Sequence, residues 1–194
     1  MTDLGELVRE RAGAEWCLFL DRDGVINRRI SGGYVLRREE LTFVPGALEA
    51  LATLSGWAPH VVVVTNQQGV GKGLMSDSDL DTVHARMLDA TSAAGAVIDA
   101  VLSCPHLASA GCECRKPRPG LASAWLAEHP TCAAHLSVMV GDSASDIAMA
   151  RLLAAETGGC RAIGVGGVAG ADLGYRSLAH LGEALPTYLE GASR

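Results

Sequence analysis

The chain alternates short, continuously apolar runs with longer stretches in which apolar residues recur at helical spacing. The runs cover 16–20, 61–64, 97–102, 136–140 and 162–165, and their brevity and β-branched content predict buried strands. Between them, 46–54, 77–94, 121–128 and 145–156 predict helices, with Pro45 and Ser76 as start signals for the first two. Leu80, Val83, Met87 and Leu88 share one helical face, so Met75 and Met87 are read as core residues and not as ligands. The alternation predicts an α/β fold, a Rossmann-like three-layer sandwich around a central parallel sheet. The tail, 161–168 and 173–189, is periodic but weaker; residues 170–194 either close one side of the sheet or stay partly loose, and receive no catalytic assignment. A length of 194 residues fits one domain spanning 1–194.

Composition narrows the classes of function. A hydrophobic fraction of 48% without low-complexity tracts indicates a compact domain, and a net charge of -6 argues against broad attraction to nucleic acid or an anionic membrane. A local basic pocket stays open, because Arg28, Arg29, Arg37, Arg38, Lys72, Arg115, Lys116 and Arg118 fall in or beside expected loops. No secretion-like start and no apolar run of bilayer length is seen, so a cytoplasmic monomer without nucleic-acid or membrane partners is expected. Cys17, Cys132 and Cys160 sit in or beside apolar segments and are expected to be buried thiols.

Four segments at or near expected strand ends carry chemistry: Asp21-Arg22-Asp23-Gly24, Thr65-Asn66-Gln67, Arg115-Lys116-Pro117 and Gly141-Asp142-Ser143-Ala144-Ser145-Asp146. Ends of successive parallel strands meet along one edge of a sheet, so these loops can share a crevice. Asp21 can attack a phosphoryl group, and Asp23 can protonate the leaving oxygen and then take a proton from water. Two close carboxylates favour magnesium, for which Asp142 supplies a further ligand while Asp146 orients it or its waters. Thr65 and Asn66 can donate to phosphate, and Lys116 can face the group being transferred. The alternatives are turn and helix caps for the aspartates, a polar turn for Thr65 and Asn66, and a surface lysine. Gly69, Gly71 and Gly73 around Lys72 lack the spacing of a nucleotide-binding loop, so neither ATP nor NAD is implied.

A second constellation, Cys104-Pro105-His106 followed by Cys112-Glu113-Cys114, can close a tetrahedral site of three thiolates and one imidazole. Four protein ligands argue for structural Zn2+ over a catalytic metal. Buried metal-free cysteines or a redox switch are the competing readings.

With these motifs in place, the sequence resembles the haloacid dehalogenase superfamily, in the branch of heptose-bisphosphate and histidinol phosphatases. The resemblance runs from residue 16 to about 166, through the segment beginning Phe19-Leu20-Asp21, through Val64-Thr65-Asn66-Gln67, and through the cysteine loop and Gly141-Asp142. It implies an Mg2+-dependent phosphatase in which Asp21 is the nucleophile and Asp23 the acid/base. Metal ligands would be the Asp21 and Asp142 side chains and the Asp23 carbonyl, with Thr65, Asn66 and Lys116 on the phosphate. It also implies no large cap domain and a zinc-bound loop that delivers Arg115 and Lys116. Gly32-Gly33-Tyr34-Val35 resembles a substrate loop, and Arg115, or less directly Arg28, Arg29 or Arg37, can pair with a second substrate phosphate. The implied reaction is hydrolysis of the distal phosphate of a heptose 1,7-bisphosphate. Histidinol phosphate, a DNA 3'-end and a non-catalytic zinc-stabilised interaction module are the alternatives.

Overall fold

The computed structural model describes residues 3–192. The strands are β1 (Cys17–Leu20), β2 (His60–Asn66), β3 (Ala100–Cys104), β4 (Val138–Gly141), β5 (Arg161–Val165) and β6 (Leu173–Tyr175). They form one sheet in the order β3-β2-β1-β4-β5-β6, every neighbouring pair parallel. The helices are α1 (Leu4–Glu10), α2 (Ala47–Trp57), α3 (Asp77–Ala93), α4 (Gly120–Glu128), α5 (Ala144–Thr157) and α6 (Leu178–Ala192).

Side chains alternate across each strand, and both sides of this sheet are covered. Leu18, Leu20, Val61, Val63, Val138 and Val140 pack in a cluster with apolar residues of α1, α2, α3 and α6. Cys17, Phe19, Val62, Val64 and Met139 point the other way, against α4 and α5. Burial on both faces is why the strands read as unbroken apolar runs. Cys17, Cys132 and Cys160 are buried within the second cluster, as their surroundings in the sequence predict.

Two elements differ from expectation, and a third takes one of two alternatives left open. The run at 97–102 is offset from β3, whose ladder pairs Val62 with Ala100 and Asn66 with Cys104, while Val97 is 62% exposed. Asp99 ends the approach, since its carboxylate accepts the Val61 amide at 2.7 Å. The short α1, started by Asp3 accepting the Glu6 amide, has no counterpart among the expected helices. The tail resolves toward its closing alternative, because β6 extends the sheet beyond β5 and α6 packs on α1 and α2.

The strand order reverses at β1, with β2 and β3 on one side and β4, β5 and β6 on the other. A parallel sheet opens a crevice at the carboxyl ends of the strands where this reversal occurs, here between β1 and β4. The connections leaving β1 and β2 contain turns, the isolated bridges Asp23–Asn27 and Asn27–Phe43, and one short 3-10 segment before the next helix, so no inserted domain covers that edge.

One buried polar contact ties α3 to the turn after β1. Arg22 is fully buried, and its Nη1 lies 3.1 Å from Nε2 of His84. A guanidinium only donates, so His84 accepts through Nε2 and is a neutral imidazole. Burial, with the Arg22 charge added, pushes the His84 pKa down from 6.5 to about 4. Because the unfolded chain takes up this proton first, the stabilisation is complete above pH 6.5 and lost as pH falls toward 4, by on the order of 3 kcal/mol. His84→Gln, which keeps an acceptor without titrating, is expected to flatten the fall of Tm over that interval; a slope equal to that of the parent protein would contradict this origin.

Candidate active site

Each strand bordering the crevice delivers polar groups just past its last apolar residue. Asp21, Asp23, Thr65, Asn66, Arg115 and Lys116 line one cavity of about 410 Å³, together with the 32–35 loop and Ser143. All six residues expected to carry chemistry or bind phosphate are thus brought together. Asp142 stands at the same place, its carboxylate within 4.8 Å of those of Asp21 and Asp146. Glycine is required at the turn between them: Gly24 has φ +96°, and a Cβ there would collide with the Asp142 carboxylate.

Lys116 organises the floor. Its Nζ donates to the Val64 carbonyl at 2.7 Å and pairs with Asp21 Oδ1 and Asp146 Oδ1, each at 2.7 Å. Asp21 Oδ1 also accepts the Arg22 amide at 2.7 Å, which leaves Oδ2 less engaged. Burial raises the Asp21 pKa to about 6 against the opposing pull of Lys116. Asp146 is fully buried, and its other oxygen accepts the Ser143 amide at 3.0 Å and the Ser143 hydroxyl at 2.6 Å, capping α5. That carboxylate is therefore committed to Lys116 and the helix start.

Asp23 sits differently. Arg22 Nη2 donates to both its oxygens at 3.0 and 2.9 Å, Asn27 Nδ2 to Oδ1 at 2.9 Å, and Gln67 Nε2 to Oδ2 at 2.7 Å. Burial alone would lift its carboxyl, but Arg22, Asn27 and Gln67 more than offset this and hold it below the usual range. Gln67 also donates to Thr65 Oγ1 at 2.9 Å, leaving the Thr65 hydroxyl proton free for another acceptor. Asn66, on the same cavity wall, has a further contact: its Nδ2 donates to the Lys116 carbonyl at 3.1 Å and its Oδ1 accepts the Lys116 amide at 3.0 Å. Its side chain thereby pins the Lys116 loop to the end of β2.

Whether these oxygens suit a cation is answered by the chain itself. Arg29 Nη2 reaches Asp142 Oδ1 at 2.6 Å, the Asp23 carbonyl at 3.0 Å and Asp21 Oδ2 at 3.7 Å. One positive head thus stands where the three expected magnesium ligands converge, and oxygen donors of this kind suit that ion. Burial raises the Asp142 carboxyl pKa while Arg29 pulls it down. At the mouth, Gln68 Nε2 donates to the Tyr34 hydroxyl at 2.7 Å and Lys72 lies 5.2 Å from the centre of the Tyr34 ring. Arg115 also borders the mouth. Arg37 and Arg38 do not: they line a separate depression beside Asp79 and Thr82, and Arg28 is exposed and absent from the cavity wall.

The second constellation also converges. Cys104 Sγ lies 3.6 Å from Cys112 Sγ and 3.2 Å from Cys114 Sγ, while His106 Nδ1 lies 3.1 Å from Cys114 Sγ. Four ligands about a tetrahedral centre with bonds of about 2.0–2.3 Å are spaced by a little under 4 Å, close to this arrangement. Arg22, Asn27, Gln67 and His84 are the functional neighbours that sequence reasoning left without roles. For His84, the signal was its place one turn after Leu80 and three residues before Met87, on the buried face of α3.

Comparison with known proteins agrees with this geometry. The family described as HAD-hydrolase-like matches residues 113–176. D-glycero-alpha-D-manno-heptose-1,7-bisphosphate 7-phosphatase of Mycobacterium tuberculosis is 49% identical over 175 residues, covering 89% of this chain and 92% of that protein. The D-glycero-beta-D-manno-heptose-1,7-bisphosphate 7-phosphatase of Pseudomonas putida is 39% identical over 72% of this chain and 78% of its own. The crystal structure of D,D-heptose 1,7-bisphosphate phosphatase from B. bronchiseptica, complexed with magnesium and phosphate, superposes with a TM-score of 0.75 at 32% identity, covering 89% of this chain and 98% of that one. The buried Asp21–Lys116–Asp146 floor, the convergent oxygens of Asp142 and these relatives together establish that the chain belongs to the haloacid dehalogenase superfamily, within its branch of heptose-1,7-bisphosphate 7-phosphatases.

Proposed function

We propose that the chain is an Mg2+-dependent phosphatase that removes the 7-phosphate of D-glycero-alpha-D-manno-heptose 1,7-bisphosphate and releases the heptose 1-phosphate. The observation that carries the chemistry is the meeting of Asp21, Lys116 and the cation-holding oxygens of Asp142 and the Asp23 carbonyl at the β1/β4 crevice. The alpha anomer follows the relative with 49% identity, compared with 39% for one named for the beta form.

In this reading an Asp21 carboxylate oxygen attacks phosphorus as the bond from phosphorus to the sugar oxygen breaks. Asp23 gives its proton to that oxygen. Water then attacks the aspartyl-phosphate, Asp23 takes the water proton, and the bond to Asp21 breaks to release inorganic phosphate. The Asp21 and Asp142 carboxylates and the Asp23 carbonyl would hold magnesium, which would offset the repulsion between carboxylate and phosphate and polarise the phosphoryl oxygens. The Lys116 ammonium and the Thr65 hydroxyl hold the transferring group, and Asn66 acts by fixing the Lys116 loop. Arg115 at the mouth receives the second phosphate.

Zn2+ held by Cys104, His106, Cys112 and Cys114 has a structural role in this reading. Glu113 and Gly111 leave that loop little apolar material, so the metal substitutes for a core in holding Arg115 and Lys116 at the cavity.

Three outcomes test these assignments. Asp21→Asn is expected to lower phosphate release by roughly a thousandfold or more with fold and metal content retained, and rapid-quench mass analysis of the parent should catch phosphate on the Asp21 peptide; turnover without that adduct would overturn the mechanism. In a substrate panel, kcat/KM should rank the alpha heptose bisphosphate above its beta anomer and far above histidinol phosphate, and a preference for histidinol phosphate would reassign the substrate. Cys112→Ser should lose about one zinc equivalent per chain together with several degrees of Tm. Zinc-free parent protein of equal stability would remove the structural metal.

A further inference from the structure

Arg22 stands between the two aspartates of the β1 turn, yet its side chain is fully buried. Its two terminal nitrogens face opposite ways. Nη2 alone serves Asp23, straddling the carboxylate at 3.0 and 2.9 Å, while Nη1 turns 3.1 Å to Nε2 of His84. Among the described residues, Arg22 Nε has no partner. The guanidinium is therefore oriented by one acceptor at each end, and only one of them belongs to the cavity.

This orientation bears on proton transfer. The strongest arginine–carboxylate pair uses two nitrogens on two oxygens and favours the ionised carboxylate. An acid/base group must pass through its protonated form in each cycle, so such a fork would resist half of its task. A buried N–H seeks an acceptor, and with His84 taken away Nη1 would lose its recorded partner while Nη2 stays on Asp23, so the head would be drawn to turn further onto that carboxylate. His84 itself is well anchored: a reciprocal cap between Ser76 and Asp79 starts α3, and Leu80, Val83 and Met87 bury the same face. The other Asp23 partners, Asn27 and Gln67, are neutral amides and fix direction without adding charge.

We infer that His84 is a positioning residue for the acid/base carboxylate: by accepting from Nη1 of Arg22, it keeps the guanidinium from closing a two-nitrogen fork on Asp23. The carboxylate is then aimed by one shared nitrogen, with Asn27 and Gln67 fixing its two oxygens. This inference rests on the acid/base reading of Asp23 given above.

Leaving-group dependence separates this role from a purely structural one. A sugar alkoxide needs a proton to depart, whereas p-nitrophenolate leaves without one, and kcat/KM reports the steps through leaving-group departure. With magnesium-loaded protein, His84→Phe keeps a ring and removes the acceptor, and His84→Ala provides a second variant should the first fail to fold. Either is expected to lower kcat/KM for the heptose bisphosphate by about ten- to a hundredfold, with kcat/KM for p-nitrophenyl phosphate within about twofold of the parent. His84→Gln should restore the sugar reaction. Asp23→Asn serves as the reference and should show the same selectivity, more strongly. Equal losses on both substrates in the His84 variants, with Asp23→Asn selective, would overturn the His84 inference alone. An unselective Asp23→Asn would overturn the acid/base reading and this inference with it.

Discussion

Lys116 carries its charge from a loop outside the sheet into the space between Asp21 and Asp146, 2.7 Å from each. Parallel strands buried on both faces must end somewhere, and at this edge they lead to carboxylates that exposure to water does not relieve: Asp21, directly after β1, is 5% exposed, and Asp146, in the first turn of α5 after β4, is fully buried. Burial would strip Lys116 of its proton, but the two carboxylates more than offset that and hold its pKa up. Removing one partner of such a buried ion pair costs about 3–5 kcal/mol because the other charge is stranded. The ammonium is thus a structural necessity in its own right, and the carboxylates at the β1/β4 edge are arranged around it.

Holding that ammonium in place requires constraints from three directions. Asn66 clamps the Lys116 backbone to the end of β2 through both atoms of its amide. The cluster of Cys104, His106, Cys112 and Cys114 gathers the preceding loop, anchored where Cys104 ends β3. Asp146 meets the ammonium from the first turn of α5, whose start it also caps. A residue directly before a proline in an irregular loop would otherwise wander; here its chain is fastened to a strand end, a side-chain cluster and a helix start.

Much of this was legible in the sequence because the relevant signals are local. Doubly buried strands announce themselves as β-branched runs, the Ser76 cap precedes its helix, and the carboxylates follow directly on the strands that place them. What stayed hidden depends on pairings across the chain. The edge strand β3 was misjudged because the apolar Val97 and Ile98 resemble a strand start, whereas the Asp99–Val61 contact decides where pairing begins. Arg22 received no role, since nothing in its neighbourhood reveals the imidazole on α3 that lies beneath it. The donor group of Asn66 suggests a phosphate contact, but nothing local shows that the same amide also serves the Lys116 backbone, fifty positions away.

Arg29 bears on what a metal-affinity measurement on this protein would mean. Its guanidinium, half-exposed and held by Asp142 and the Asp23 carbonyl, occupies the oxygens proposed above for the divalent ion. Two cations cannot share them, so uptake of the ion is an exchange in which one arginine is evicted. The measured affinity is then a difference between two bound states, weaker than the oxygens alone would provide. The evicted side chain, tethered at the rim of the cavity, becomes a mobile positive charge at the place where an anionic sugar arrives.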